Sequence, residues 1–361
     1  MENILAKMQA EGIPVLLESY SALDRYFRIK EPGTVHLLTD SSLVSLAKIF
    51  DDLQFPGTPY EDACVVEDSR RYVFRCVDKV EDVPPHPYTA QFLIYNLTRD
   101  TYLDPLGIYR DLRLKQLVEA DSPDSTWMAD MEAAKMVSRY HYEVSLSSTG
   151  LDRNGFEPSP EAQRELLEFI LSSQFSEKGL TLLYQAGFIK RFWPEIFEMG
   201  RAEHSKEYHP EGNVWEHTLQ VLRYRKKRNL TLSMALLLHD IGKPVSRKLR
   251  DKPFKDHAEL GARIASSFLR FLGFPPEFIR NVAFLIRYHM FPAAIRKLPL
   301  YRMDKLMDSE LFPLLLELYR ADISATYRGP GLYYEACRIY KTYLKYKGNP
   351  YRTLQKNKKI G

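Results

Sequence analysis

Residues 232–243 read Leu232-Ser233-Met234-Ala235-Leu236-Leu237-Leu238-His239-Asp240-Ile241-Gly242-Lys243. An apolar helical run fit for a protein interior leads directly into an imidazole and a carboxylate. Buried ionisable groups are costly unless paired or bound to a metal, so this doublet needs a partner. Neighbouring helical positions point about 100° apart, which lets His239 and Asp240 grip one ion from adjacent directions. Lys243, three residues beyond Asp240 and near the close of the same helix, is placed to neutralise a phosphate or to hydrogen-bond a hydroxide.

Working outward, the same chemistry recurs on other amphipathic segments. Trp215 to Leu222 reads as a helix with Val214, His217 and Val221 on one face. In Pro276 to His289, the residues Phe278, Val282, Leu285, Ile286 and His289 share one stripe, and Leu315, Tyr319 and Asp322 share another. With His257, these make a candidate constellation of His217, His239, Asp240, His257, His289 and Asp322 delivered from five helical segments. Imidazoles mixed with carboxylates, and no thiolate, favour Mn, Fe, Ni, Co or Zn, with Mg as a further candidate, over a Ca site built only from oxygen. A carboxylate can bridge two ions, and the surplus of histidines provides for a second. The expected cofactor is thus a divalent metal ion, with two as the expected number. No nucleophile elbow or phosphate-binding Walker loop occurs, and Gly329-Pro330-Gly331 lacks the third glycine of a dinucleotide loop. Attack by metal-activated water is the economical mechanism.

The chain has 361 residues, 45% of them hydrophobic, 27% charged and 12% aromatic, which excludes one small module and a disordered or fibrous chain. No apolar run is long enough to span a membrane. Three widely spaced cysteines exclude a disulfide scaffold, and Met1-Glu2-Asn3 has no leader character, so a cytoplasmic location is expected. Net charge is 51 − 47 = +4, yet Arg338 to Gly361 carries eight cations and no acid, interleaved with Tyr340, Tyr343, Tyr346 and Tyr351. A solvated basic tail is the plain reading. Tracking a tRNA or other RNA backbone is the functional one.

Periodicity changes near residue 145. Before it, Thr34 to Asp40, Ala63 to Glu67, Tyr72 to Cys76 and Gln91 to Leu97 read as strands among helix-like runs, with Asp68-Ser69 as a hairpin turn. A linker rich in Ser, Gly and Pro covers Ser145 to Pro160, and helical spacing follows, starting at the capping sequence Ser159-Pro160-Glu161. The expected fold is multidomain: an N-terminal α+β domain over 1–145, a helical neck over 146–204, an all-α metal domain over 205–330 and a basic tail over 331–361.

His217, then His239-Asp240-Ile241-Gly242-Lys243, then Asp322 resemble in order the H, HDxGK and D elements of the HD phosphohydrolase superfamily. His257 and His289 match the added histidines of its two-metal members. Tyr208 to Thr218 resembles more specifically the HD domain fused to bacterial CCA-adding enzymes, with Asn213 where that pattern has Asp. Upstream, Asp104-Pro105-Leu106-Gly107 with Asp111-Leu112 resembles the DPxGGxxDL segment of the CCA-adding and poly(A) polymerase family, and Leu171 to Glu195 its helical neck.

This resemblance implies a nucleotidyltransferase-like N-terminal domain, but a degenerate one. The strand that should carry two Mg²⁺-binding acids reads Thr34-Val35-His36-Leu37-Leu38-Thr39-Asp40, and Asp40 or Asp78 would need a register shift. The expected Gly-Gly turn is missing near Tyr20-Ser21, and the nucleotide-binding RxxRA helix reads Ala129 and Glu132 before Ala133. The activity implied is phosphohydrolysis of a nucleotide or an RNA-end phosphate, including a 2′,3′-cyclic one. His217, His239, Asp240 and Asp322 would hold the first ion and His257 and His289 the second. Asp240 would bridge, Lys243 would stabilise transition-state charge, and His209 and Arg302 would touch substrate. Two alternatives are an RNA-binding protein without catalysis and a surviving CCA-adding tRNA nucleotidyltransferase.

Overall fold

The computed structural model describes residues 2–30, 34–55, 61–68, 70–79, 86–120, 127–144, 157–203, 212–247, 256–297, 300–327 and 329–347. The chain divides into two compact units, Met1–Phe156 and Glu157–Gly361.

The first unit is built on a six-stranded sheet in the order β3-β4-β2-β1-β5-β6, with β1 Leu16–Glu18, β2 Thr34–Thr39, β3 Ala63–Glu67, β4 Arg70–Cys76, β5 Ile94–Asn96 and β6 Thr101–Leu103. Only β2 and β4 run parallel; the other neighbours are antiparallel. Its helices are α1 Glu2–Ala10, α2 Ser19–Tyr26, α3 Leu43–Ile49, α4 Tyr109–Leu114 and α5 Trp127–Tyr140. Val35, Leu37, Leu38, Tyr72 and Phe74 of the sheet are buried, as are Ala22 and Leu23 of α2, which packs on β2. A two-residue hairpin joins β3 to β4, where Glu67 pairs with Arg70 and Asp68 adopts φ 49°. Ser69, its other residue, lies outside the described set.

β1 and β6, three residues each, are strands that periodicity did not reveal, and Gln91 to Leu97 resolves into a 3₁₀ turn over Thr89–Phe92 followed by β5. Ser19, at the β1–α2 junction, sits at φ 47°, the left-handed region that L-residues avoid. A buried bidentate pair ties α2 to α5: Arg139 donates from Nε and Nη2 to Asp24 at 2.6 and 2.5 Å, and Tyr140 Oη donates to the same carboxylate at 2.8 Å.

The second unit is all-α. Its helices are α6 Pro160–Ser172, α7 Ser176–Gln185, α8 Phe188–Phe192, α9 Pro194–Phe197, α10 Val214–Arg223, α11 Leu230–Leu238, α12 Lys243–Arg247, α13 His257–Phe271, α14 Pro276–Tyr288, α15 Phe291–Ala294, α16 Leu300–Met307, α17 Phe312–Ser324 and α18 Gly331–Lys347. Ser159 caps α6 as its sequence predicts, accepting from the Ala162 N–H, with proline in the first turn. The apolar α11 is central, packed by α6, α10, α14 and α17.

The segment read as the start of a solvated tail is helical up to Lys347. α18 buries Ala336 and Tyr343, and Tyr340 packs on Phe312 of α17 with ring centroids 4.5 Å apart. Aromatic residues spaced three apart along one side give the helix a face to bury, and the cations occupy the other. Residues 348–361 lie outside the described set, as do 145–156 of the expected linker.

Candidate metal centre

Each ligand candidate is set by local sequence. Asn213 caps α10 by accepting from the Glu216 N–H at 2.9 Å, which starts the helix so that His217 faces inward, fully buried. Asparagine does here what aspartate would do, so the departure from the family pattern is conservative at the cap. Asn229 caps α11 in the same way, accepting from the Leu232 N–H at 2.9 Å.

α11 stops at Leu238, with His239 as its C-cap. The expectation that Lys243 closes this helix is corrected: residues 239–242 form a turn, and Lys243 opens α12. Glycine at 242 makes that turn sterically permissible, because its backbone lies against the first turn of α13. A Cβ there would fall 2.1 Å from the His257 carbonyl oxygen and 2.6 Å from the Gly261 nitrogen. His257 begins α13, His289 caps the C-terminus of α14, and Asp322 lies in the last turns of α17.

These side chains converge. Asp322 Oδ1 lies 3.0 Å from His217 Nε2 and 3.9 Å from His239 Nε2. Asp240 Oδ2 lies 3.2 Å from His239 Nε2, and its Oδ1 lies 3.6 Å from His257 Nε2 and 3.9 Å from His289 Nε2. The Nε2 atoms of His257 and His289 are 3.2 Å apart. Two ligand groups result, His217–His239–Asp240 and Asp240–His257–His289, with the ligand atoms of each within 4.8 Å of one another and Asp240 common to both. Lys243 Nζ donates to Asp240 Oδ2 at 2.5 Å.

The electrostatics match. The Nδ1 atoms of His239 and His289 each meet a carbonyl oxygen three residues earlier, Leu236 at 2.9 Å and Ile286 at 2.7 Å. Donation from Nδ1–H fixes the tautomer and leaves each Nε2 a lone pair facing the centre. Burial depresses the His289 imidazole to about 4, keeping it neutral near pH 7. Burial pushes the Asp240 carboxyl up, but His239 and Lys243 beside it outweigh that and hold it well below the usual carboxylate range.

His239 Nε2 and Asp240 Oδ1 are buried acceptors that make no hydrogen bond. Buried polar groups are normally satisfied, so two orphans aimed at one centre are what a cation would complete. The residues therefore fit a divalent ion, and the imidazole–carboxylate mixture fits the transition metals named above.

His209 lies outside the described residues. Arg302 falls on α16, with its side chain outside the described set.

In the first unit, β2 pairs with β4 in the register Thr34↔Arg71 and His36↔Val73, and the strand expected to carry two acids, Thr34–Thr39, holds none. Asp40 lies past the strand end and is exposed. Tyr20 packs on His36, with ring centroids 5.7 Å apart, and donates from Oη to Glu132 Oε2 at 2.5 Å. Gln91 and Lys135 also donate to Glu132, at 2.8 and 2.7 Å. Glu18, Arg75 and His86 are buried nearby, Arg75 Nη1 lying 3.0 Å from His86 Nε2 and 3.9 Å from Glu18 Oε2. Burial depresses His36 to about 4 and His86 to about 3, and raises Glu18 to about 7. Sequence reasoning missed the Glu18–Arg75–His86 group. The available signal was an arginine inside the apolar strand Tyr72 to Cys76.

Comparison with known proteins agrees with this anatomy. Residues 214–326 match the HD domain model. The chain is 34% identical over 182 residues to the CC-adding tRNA nucleotidyltransferase of Thermus thermophilus, a match taking in 47% of this chain and 40% of that protein. It is 29% identical over 248 residues to the A-adding tRNA nucleotidyltransferase of Deinococcus radiodurans, taking in 63% of this chain and 56% of that one. It thus spans about half the length of these curated relatives.

Among solved structures, the Bacillus stearothermophilus CCA-adding enzyme in complex with CTP is similar with a TM-score of 0.56 at 18% identity, over 95% of this chain and 81% of that one. A tRNA nucleotidyltransferase complexed with a primer tRNA and an incoming ATP analog is similar with a TM-score of 0.56 at 14% identity, over 94% of this chain and 98% of that one. At these identities the likeness is one of fold. Residues 214–326 are accordingly an HD domain, carried on a chain with the fold of the CCA-adding enzymes and a nucleotidyltransferase-like sheet domain before it.

Proposed function

We propose that this chain is a metal-dependent phosphohydrolase acting on a nucleotide or an RNA-end phosphate, and that its sheet domain is silent in nucleotidyl transfer. The observation that carries the reading is the sharing of Asp240 between two imidazole groups. His217, His239, Asp240 and Asp322 would hold one ion, and Asp240, His257 and His289 a second. A bound divalent cation supplies Lewis acidity to a phosphoryl oxygen and acidifies water. The chain's own contribution is orientation and charge: the carbonyls of Leu236 and Ile286 fix two of the rings, and the Lys243 ammonium offsets negative charge building on the phosphoryl group.

The test is a screen of phosphomonoesters, 2′,3′-cyclic phosphates and nucleotides against the Mn, Ni, Co and Mg forms of the full chain. Turnover that one of these ions stimulates, and that Asp240→Ala abolishes with the fold intact, is the expected result. Unchanged turnover in that variant overturns the reading.

A second reading, RNA binding without catalysis, is favoured by α18. Tyr334, Arg338, Lys341 and Lys345 fall at i, i+4, i+7 and i+11 on an exposed face, a stripe fit to follow a phosphate backbone. Replacing the three cations with glutamine should abolish salt-dependent tRNA binding; equal affinity counts against it. A third reading, tRNA nucleotidyl transfer, follows the names of the relatives and is tested by incorporation of CMP or AMP into a tRNA end.

A further inference from the structure

Gly261 lies one turn after His257 on α13 and carries no ligand atom. Its α-carbon nevertheless stands where three elements of the centre meet. A Cβ placed on it would lie 3.3 Å from the Gly242 nitrogen and 3.3 Å from Ile286 Cγ2. Both distances are shorter than the roughly 3.5–4.0 Å at which heavy atoms pack without repulsion. Gly242 is two residues from Asp240, in the turn that presents that carboxylate. Ile286 gives its carbonyl to His289 Nδ1 at 2.7 Å, and so orients the His289 ring. His257 is on the helix of Gly261 itself, and its carbonyl lies where a Gly242 side chain would go.

The three members of the Asp240–His257–His289 group are thus each connected to the Gly261 contact, through Gly242, through α13 and through Ile286. His217 and Asp322, on α10 and α17, are not. We infer that Gly261 is a positioning residue for that group, so that adding one methyl there weakens the second cation position, all of whose ligands it supports, more than the first, which shares only Asp240 with it. This rests on the metal-centre reading proposed above. The substitution does not act by weakening its helix, since alanine is favoured over glycine in a helix interior by about 1 kcal/mol.

The test uses the full chain, stripped of metal and titrated with Mn²⁺, with bound ion counted by inductively coupled plasma mass spectrometry and affinity measured by calorimetry. Two ions are expected in the unsubstituted chain. Gly261→Ala should hold one, with the second weakened at least about tenfold, as for loss of a ligand's supporting contact. His257→Ala should give the same pattern, and the melting temperature of metal-free Gly261→Ala should stay near that of the unsubstituted chain. A merely structural role would lower the melting temperature and weaken both ions together. Two ions of unchanged affinity in Gly261→Ala overturn the inference and leave the metal centre standing; no ion in the unsubstituted chain overturns both.

Should Gly261→Ala fail to fold, hydrogen exchange in the unsubstituted chain decides. The amides of residues 241–243 and 257–262 should gain protection with the second equivalent of Mn²⁺, and protection complete at the first equivalent overturns the inference.

Discussion

Oδ1 of Asp240 sits 3.6 Å from Nε2 of His257, buried and without a hydrogen bond of its own. An acceptor left open in a dry interior costs about 1–3 kcal/mol unless a donor or a cation meets it. Asp240→Ala should therefore remove both ions. Metal affinity should fall by more than the roughly 10–100-fold that loss of a supporting outer contact costs, read by metal content after dialysis. Retention of two ions would contradict the shared-carboxylate arrangement.

Lys243 reaches Asp240 Oδ2 at 2.5 Å without belonging to either ligand group. Lys243→Met should keep the metal and lose turnover by roughly 10²–10³-fold, the scale of removing one preorganised charge-stabilising donor. Metal content and kcat, measured on the same preparation, separate this from loss of the site.

Asn213 acts through its cap. Asn213→Asp should leave stability near the starting value, and Asn213→Ala should cost about 1 kcal/mol in urea unfolding. An aspartate variant as damaged as the alanine one would place the side chain's importance outside the cap.

Glu18 gives the first unit a pH signature. Its carboxyl, pushed by burial from 4.5 to about 7, is protonated in the folded chain and ionised in the unfolded chain between those values. The folded state then binds more protons, so stability falls as pH rises through that window, by about 3 kcal/mol at 1.36 kcal/mol per unit. His36 and His86, both depressed by burial, act oppositely and lose stability as pH drops below 6.5. Glu18→Gln should gain stability relative to the unsubstituted chain at pH 7 and not at pH 4.5, which denaturant unfolding at the two pH values would read.

On the strand expected to carry the nucleotidyltransferase acids, His36 meets Tyr20, whose hydroxyl donates to Glu132. Purified protein should incorporate no CMP or AMP into a tRNA end, even with abundant Mg²⁺ and nucleotide. Measurable incorporation would show that other carboxylates have taken over the role.

The meeting of these imidazoles and carboxylates was legible in the sequence because helix periodicity converts spacing into direction. His217, His289 and Asp322 each fall on an apolar stripe, and the HD doublet ends a run with no polar alternative. The all-α second unit was legible for the same reason. Strands of three residues, Leu16–Glu18 and Thr101–Leu103, are too short to show alternation, and their pairing is decided by neighbours distant in sequence. The need for glycine at 242 was hidden because the group that leaves no room for a side chain there, the carbonyl of His257, is fifteen residues away. α18 was misjudged because its charge is visible locally and its packing on Phe312 is not.

Ser19 keeps a left-handed backbone angle at the junction where a glycine turn is expected, at a cost of roughly 1–2 kcal/mol for a residue with a side chain. The main chain there follows a course suited to glycine, although serine occupies it. In this half of the molecule the likeness to solved structures is one of backbone course, and its chemistry is set by the side chains which that course displays.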